Sequence, residues 1–190
     1  MQSKFKNFAL LFYLILLSCS SVTTHDSMFE SFETISDGKN PDGWVANNLN
    51  LPKETAELSV DNSVSHGGER SILISISNLH PSTNAIYNWI KRVEGMHAGI
   101  TYELTGWVKT KNIKFSPFVE IQFWGKTKMI GLVNSIKDFS MTDVRNWEPF
   151  KKIILVPQGT VKVLLKAALQ SRGNNGGRVW FDDIQIKKNE

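Results

Sequence analysis

Four stretches of the chain place apolar side chains at every second position, a period that half-buried β-strands satisfy and helices do not. Residues 101–109 set Tyr102, Leu104, Gly106 and Val108 against Glu103, Thr105 and Trp107. Residues 118–124 set Val119, Ile121 and Phe123 against Glu120, Gln122 and Trp124. Residues 160–170 set Val161, Val163, Leu165, Ala167 and Leu169 against Leu164, Lys166 and Gln170. Residues 178–187 set Trp180, Ile184 and Ile186 against Phe181, Asp183 and Gln185. Shorter runs at 29–33, 43–46, 55–60, 71–77, 85–93 and 149–156 also read as strands. Turn signals divide them, among them Asp37-Gly38, Pro41-Asp42-Gly43, His66-Gly67-Gly68 and Gly173–Gly177. No segment carries sustained helical spacing, and residues 126–146 are patterned so weakly that loops are expected there. Roughly ten short strands in one domain predict an all-β chain, a β-sandwich of two antiparallel sheets packed face to face.

The start of the chain obeys a different rule. Lys4 and Lys6 precede an apolar run from Phe8 to Leu17, which ends at Ser18-Cys19. That layout is a secretory signal peptide, and the run is too short to span a bilayer as a helix. Leu16-Leu17-Ser18-Cys19 resembles the bacterial lipobox, which implies that Cys19 is acylated and becomes the new N-terminus. Cys19 is the only cysteine in 190 residues, so no disulfide forms within the chain. Ser20 stands where retention at the inner membrane usually calls for Asp, which points to the outer membrane. The expected organisation is a signal peptide at 1–18, a lipidated cysteine and tether at 19–28, and one domain at 29–188.

Net charge argues against a nucleic-acid partner. The formal +4 includes Lys4 and Lys6, leaving only about +2 after processing, with none of the clustering that such partners require. No second long apolar run follows the first.

Several short patterns occur in a fixed order. They are Phe32-Glu33, Pro41-Asp42-Gly43-Trp44, His66-Gly67-Gly68 leading into Ser71-Ile72-Leu73-Ile74, and the run Tyr102 to Thr110. Pro157-Gln158-Gly159-Thr160 and Val179 to Ile184 complete the series. In this order they resemble the carbohydrate-binding modules of the family 4/9/22 type, galactose-binding-domain-like jelly rolls often joined to polysaccharide-degrading enzymes. The resemblance implies a jelly-roll β-sandwich and a glycan ligand, commonly on the concave face of one sheet. It also implies a structural calcium held by an early acid and the aspartate of the last strand, here Glu33 and Asp182. The alternative for Asp182 is a carboxylate that is solvated or bound by backbone amides.

Sugars are recognised by flat aromatic faces and by planar polar groups with two hydrogen-bonding atoms. If successive strands fall on opposite sheets, 55–60, 85–93, 118–124 and 160–170 share one. Their non-core faces then carry Glu57, Tyr87, Trp89, Lys91, Glu120, Gln122, Trp124, Lys166 and Gln170. Tyr87, Trp89, Glu120, Gln122, Trp124 and Lys166 form the candidate carbohydrate-binding set. The phase of 85–93 is open, because Ile86 and Ile90 compete with Tyr87 and Trp89 for the core, and one residue of slip exchanges them. Trp44, Trp147 and Trp180 read as packing residues, and Trp107 as outward on the other sheet.

The rival classes are a jelly-roll lyase or hydrolase and a structural or protein-binding surface lipoprotein. Two-carboxylate chemistry needs paired acids, yet Glu103 and Glu120 are expected on different sheets. His25, His66, His80 and His97 fall in the tether or loops without metal-ligand spacing. The sequence therefore predicts non-catalytic glycan binding by a membrane-anchored lipoprotein.

Overall fold

A computed structural model describes residues 27–47, 55–79, 84–135 and 144–189. Cys19 and the segment read as signal peptide and tether up to residue 26 lie outside the described residues. The strands are β1 (Ser27–Glu30), β2 (Trp44–Asn47), β3 (Ala56–Asp61), β4 (Ser71–Ile76), β5 (Ile86–Val93) and β6 (Thr101–Lys111). They continue as β7 (Phe118–Trp124), β8 (Met129–Asn134), β9 (Val144–Leu155), β10 (Lys162–Gln170) and β11 (Arg178–Lys188). One sheet runs β3-β4-β11-β6-β9, with β1 completing it on β11; the other runs β2-β5-β10-β7-β8. Every pairing is antiparallel. β4 and β1 share one side of β11 end to end, β4 against Arg178–Phe181 and β1 against 184–187. This is the expected all-β jelly-roll sandwich.

Between the sheets lies one apolar core that takes alternate residues from each strand. In β6 these are Tyr102, Leu104 and Val108; in β7, Val119, Ile121 and Phe123; in β10, Val163, Leu165, Ala167 and Leu169. All three strands follow the phase their sequences give. Gly106 is also on the inner side, where a Cβ would come within 2.5 Å of the Phe150 ring, so only glycine lets β6 and Phe150 meet.

β5 takes the phase opposite to the one the candidate binding set requires. Tyr87 and Trp89 are fully buried, while Ile86 is 47% exposed on the outer face. The reason is reach. The Trp89 indole N–H crosses the sandwich to donate to the Leu73 carbonyl at 3.1 Å, and the Tyr87 hydroxyl meets Thr55 Oγ1 at 3.0 Å. A large ring whose polar tip finds a partner gains more from burial than isoleucine does. Lys91 therefore also points inward, where its ammonium bonds Glu30 at 2.5 Å and donates to the Asp42 carbonyl at 2.9 Å. The placement of Tyr87, Trp89 and Lys91 on a ligand-facing surface is corrected accordingly.

Three further expectations change. β3 hydrogen-bonds along β4, from Ala56↔Ile76 to Asp61↔Ser71, so it lies in the opposite sheet from β5 and takes Glu57 with it; β2 holds the edge beside β5 instead. The stretch read as loops at 126–146 contains β8 and the beginning of β9. β8 is an edge strand in which only Val133 packs against the core, Met129, Ile130 and Leu132 are substantially exposed, and the register with β7 shifts between Gly131 and Met129, so six residues display no steady period. Within β11 the register shifts between Asp182 and Gln185, where Asp183 adopts φ 47°. This bulge inserts one residue and reverses the alternation. Val179 and Phe181 face the core before it, and Ile184 and Ile186 after it, so Trp180 points outward.

Candidate functional site

The outer face of the β2-β5-β10-β7-β8 sheet is a lattice of cross-strand rows, each fixed by strand register. Asn47, Asn88, Ala168 and Phe118 form one row, and Val45, Ile90, Lys166, Glu120 and Asn134 the next. Arg92, Leu164, Gln122 and Leu132 form the third, followed by Lys162, Trp124 and Met129. Glu120, Gln122, Trp124 and Lys166 thus stand together on one surface. Tyr87 and Trp89 do not join them.

Along β7 the outward side chains bond to one another. The Trp124 indole N–H donates to Gln122 Oε1 at 3.1 Å, and the Gln122 amide donates to Glu120 Oε1 at 2.6 Å. Each group fixes the orientation of the next, so an aromatic plane, an amide and a carboxylate are presented at strand spacing. Across β10, the Lys162 ammonium lies 4.8 Å from the Trp124 ring centroid, within cation–π range. Alternation places Lys162 with Leu164 and Lys166, so that signal was present in the sequence. Asn47 and Asn88, bonded to each other at 3.4 Å, were not legible until the phase of β5 and the position of β2 were known.

Glu120 is the one carboxylate in these five strands. Glu103 lies on β6 of the other sheet, beside Lys151 at 2.5 Å. Acid–base chemistry that needs two facing carboxylates has no pair to draw on within this sheet.

The acids Glu33 and Asp182 both grip the turn that enters β4. Glu33 Oε1 accepts from the amides of Glu69 at 2.9 Å and Arg70 at 3.0 Å. Asp182 Oδ2 accepts from His66 at 2.7 Å and Gly67 at 3.3 Å, and its Oδ1 from the Asp183 amide at 2.8 Å. Gly68 makes this possible: it sits at φ 61°, and a Cβ there would fall 2.3 Å from Glu33 Oε1. Asp182 is completely buried. Burial raises its carboxyl from 3.8 to about 6, against the pull of the His66, Asp183 and Gly67 amides, with the charge of Asp183 adding to the rise. The amide-bound alternative for Asp182 is therefore what the structure shows. The donor chemistry also suits a hard cation, since two carboxylates meet at one turn and the buried one bears an unfavourable charge. Among the described residues no three of His, Cys, Asp and Glu group together, so such an ion would need neutral oxygen ligands, from carbonyls, amides or water, beside these two acids.

The same turn carries a feature that sequence reasoning missed. The His66 ring stacks on Trp107 at 3.8 Å and 15°, meets Trp147 edge-on at 5.8 Å, and is held by Asp183 at 2.7 Å. Trp107 does face outward, as its alternation requires, and is covered by this histidine. Trp44 packs in the core, and the Trp180 indole donates to Asp61 at 2.8 Å.

No described protein family matches the sequence, and no curated protein does. Solved structures share its fold. The enzymatically active domain of tailspike protein 4 from bacteriophage CBA120 superposes with a TM-score of 0.60 at 13% identity, over 84% of this chain and 20% of that one. The CBM22-1 xylan-binding domain of Paenibacillus barcinonensis Xyn10C superposes with a TM-score of 0.53 at 15% identity, over 85% of this chain and 92% of that one. A further xylan-binding domain from CBM 22 gives a TM-score of 0.56 at 12% identity, covering 85% and 93%. The chain thus spans about a fifth of the phage protein's length and nearly all of each module's. At these identities the likeness is one of fold.

Proposed function

We propose that the protein is a non-catalytic carbohydrate-binding module, exported and held at the outer membrane by acyl chains on Cys19. The observation that carries the binding reading is the bonded series Trp124–Gln122–Glu120 on an outer sheet face, with Lys162 and Lys166 beside it. An indole supplies the apolar plane for the C–H side of a pyranose, and the amide and carboxylate supply acceptors and donors for its hydroxyls. A rigid strand holds these groups in place before the sugar arrives, which lowers the ordering cost of binding. The xylan-binding domains that share the fold support a glycan as the ligand class. With one carboxylate in the sheet, the face is suited to holding a sugar chain and not to cleaving it.

The test is a glycan array probed with the purified protein, followed by titration of any hit against Trp124→Ala. Retention of at least one polysaccharide, weakened by the substitution while the β-sheet circular dichroism is kept, is the expected result. A folded protein that retains none overturns the reading. The anchor is tested separately, because Cys19→Ala should abolish incorporation of labelled palmitate and release the protein from the membrane fraction.

Glu33 and Asp182 are proposed to hold a structural calcium, which would neutralise the buried Asp182 carboxylate and brace the turn from His66 to Arg70. Isothermal titration with calcium checks this, and absence of binding to the folded protein overturns it.

A further inference from the structure

We infer that the glycan taken by this face is acidic, a polymer whose rings bear uronate carboxylates. The inference rests on the glycan-binding reading and narrows it.

Among the five strands of the sheet, the outward charged side chains are Arg92, Lys162, Lys166 and Glu120. Arg92 is already matched, by Glu94 at 2.6 Å. Lys166 is not. It sits directly across from Glu120 in the register, yet the described partner of Glu120 is the Gln122 amide, and the Lys166 ammonium engages no acceptor among the described residues. On its other flank is Ile90, and Leu164 precedes it on the same face, so the cation rises from apolar neighbours that exclude water from its stem. Lys162 holds its ammonium over Trp124, within reach of any sugar laid against that ring.

A hydroxyl needs no cation, and a neutral amide serves it at lower desolvation cost. Neither ammonium makes an ion pair among the described residues, and two such groups suit a ligand that brings the anions. Four residues apart on one strand, the two lysines start about 13 Å from each other, farther than a single pyranose ring extends. They therefore read carboxylates on different rings of a chain, with Trp124 and Gln122 on the sugar beside Lys162.

The experiment measures affinity of the whole protein for polygalacturonate, alginate and glucuronoxylan. Each is paired with its carboxyl-reduced form, and poly-L-glutamate serves as a non-sugar polyanion. The expected result is preference for at least one acidic polymer over its reduced form, with affinity falling as sodium chloride is raised. Lys162→Met and Lys166→Met keep the aliphatic stems. Each should weaken binding of the acidic polymer about two- to fivefold, the scale of a partly exposed ion pair, and more than it weakens binding of the reduced one. Equal affinity for acidic and reduced forms overturns the inference and leaves glycan binding standing. Equal affinity for poly-L-glutamate, or indifference to both lysine substitutions, also overturns it. Failure to bind any polysaccharide removes the parent reading as well.

Discussion

Trp89 and Trp124 lie in the same sheet and face opposite ways. Trp89 is buried with its indole N–H on the Leu73 carbonyl, whereas Trp124 stands outward in the Gln122–Glu120 series. Truncating Trp89 should cost about 3–5 kcal/mol of stability by opening a cavity between the sheets. Truncating Trp124 should cost under about 1 kcal/mol and should be felt in glycan affinity instead. Urea unfolding of both variants, beside the binding titration, separates the two roles. The site was only half legible in the sequence for this reason. Strand β7 offers Val, Ile and Phe on one side and Glu, Gln and Trp on the other, so its phase is unambiguous. Strand β5 offers isoleucine on one side and aromatic rings on the other, and only the carbonyl waiting across the sandwich decides between them. Asp182 supports a second prediction at this scale. Its carboxyl is raised to about 6 by burial, so between about pH 4 and 6 the folded protein keeps a proton that the unfolded chain has released. Stability contributed by that proton is fully present below pH 4 and is lost as pH rises through 6, by up to about 3 kcal/mol. Urea unfolding from pH 4 to 7 in chelator should show wild type losing stability relative to Asp182→Asn across that window. Added calcium should remove the loss.

At the scale of the strand, the bulge in β11 shows how one residue sets the address of everything after it. Before Asp183 the odd-numbered residues Val179 and Phe181 face the core; beyond it the even-numbered Ile184 and Ile186 do. Inserting one alanine after Asp183 would turn Gln185 and Lys187 inward, and the protein should lose its cooperative unfolding transition and β-sheet signal. Asp183→Gly keeps the positive φ and gives up only the His66 contact, so it should fold with a loss under about 1 kcal/mol. Chemical denaturation of the two variants distinguishes them. Simple alternation carried β6, β7 and β10 correctly because each is regular from end to end. It failed on β11, where the inserted residue is an aspartate and not the glycine that would have advertised a positive φ. It failed on β8 as well, since a short edge strand with one residue against the core and a register shift within it has no steady period to display. The assignment of β3 to the wrong sheet has a different cause: periodicity fixes which face of a strand is buried, and says nothing of which neighbour it pairs with.

The molecule as a whole is held by pairings between distant parts of the chain, with β1 on β11 and β5 on β10. Its one cysteine precludes an internal disulfide. Loop closure therefore has to be met by packing alone, and sandwiches of this kind fold on the millisecond-to-second scale. Stopped-flow refolding of the protein should fall in that range, and its melting temperature should be the same with or without a thiol reductant. The pairing of Ser27 with Lys187 has a consequence under the proposed anchoring at Cys19. Tension arriving from that side is carried by the four residues of β1, whose backbone bonds lie along a single neighbour. Under such a pull those bonds are the fuse, and they part while the face bearing Trp124, in the opposite sheet, keeps its shape.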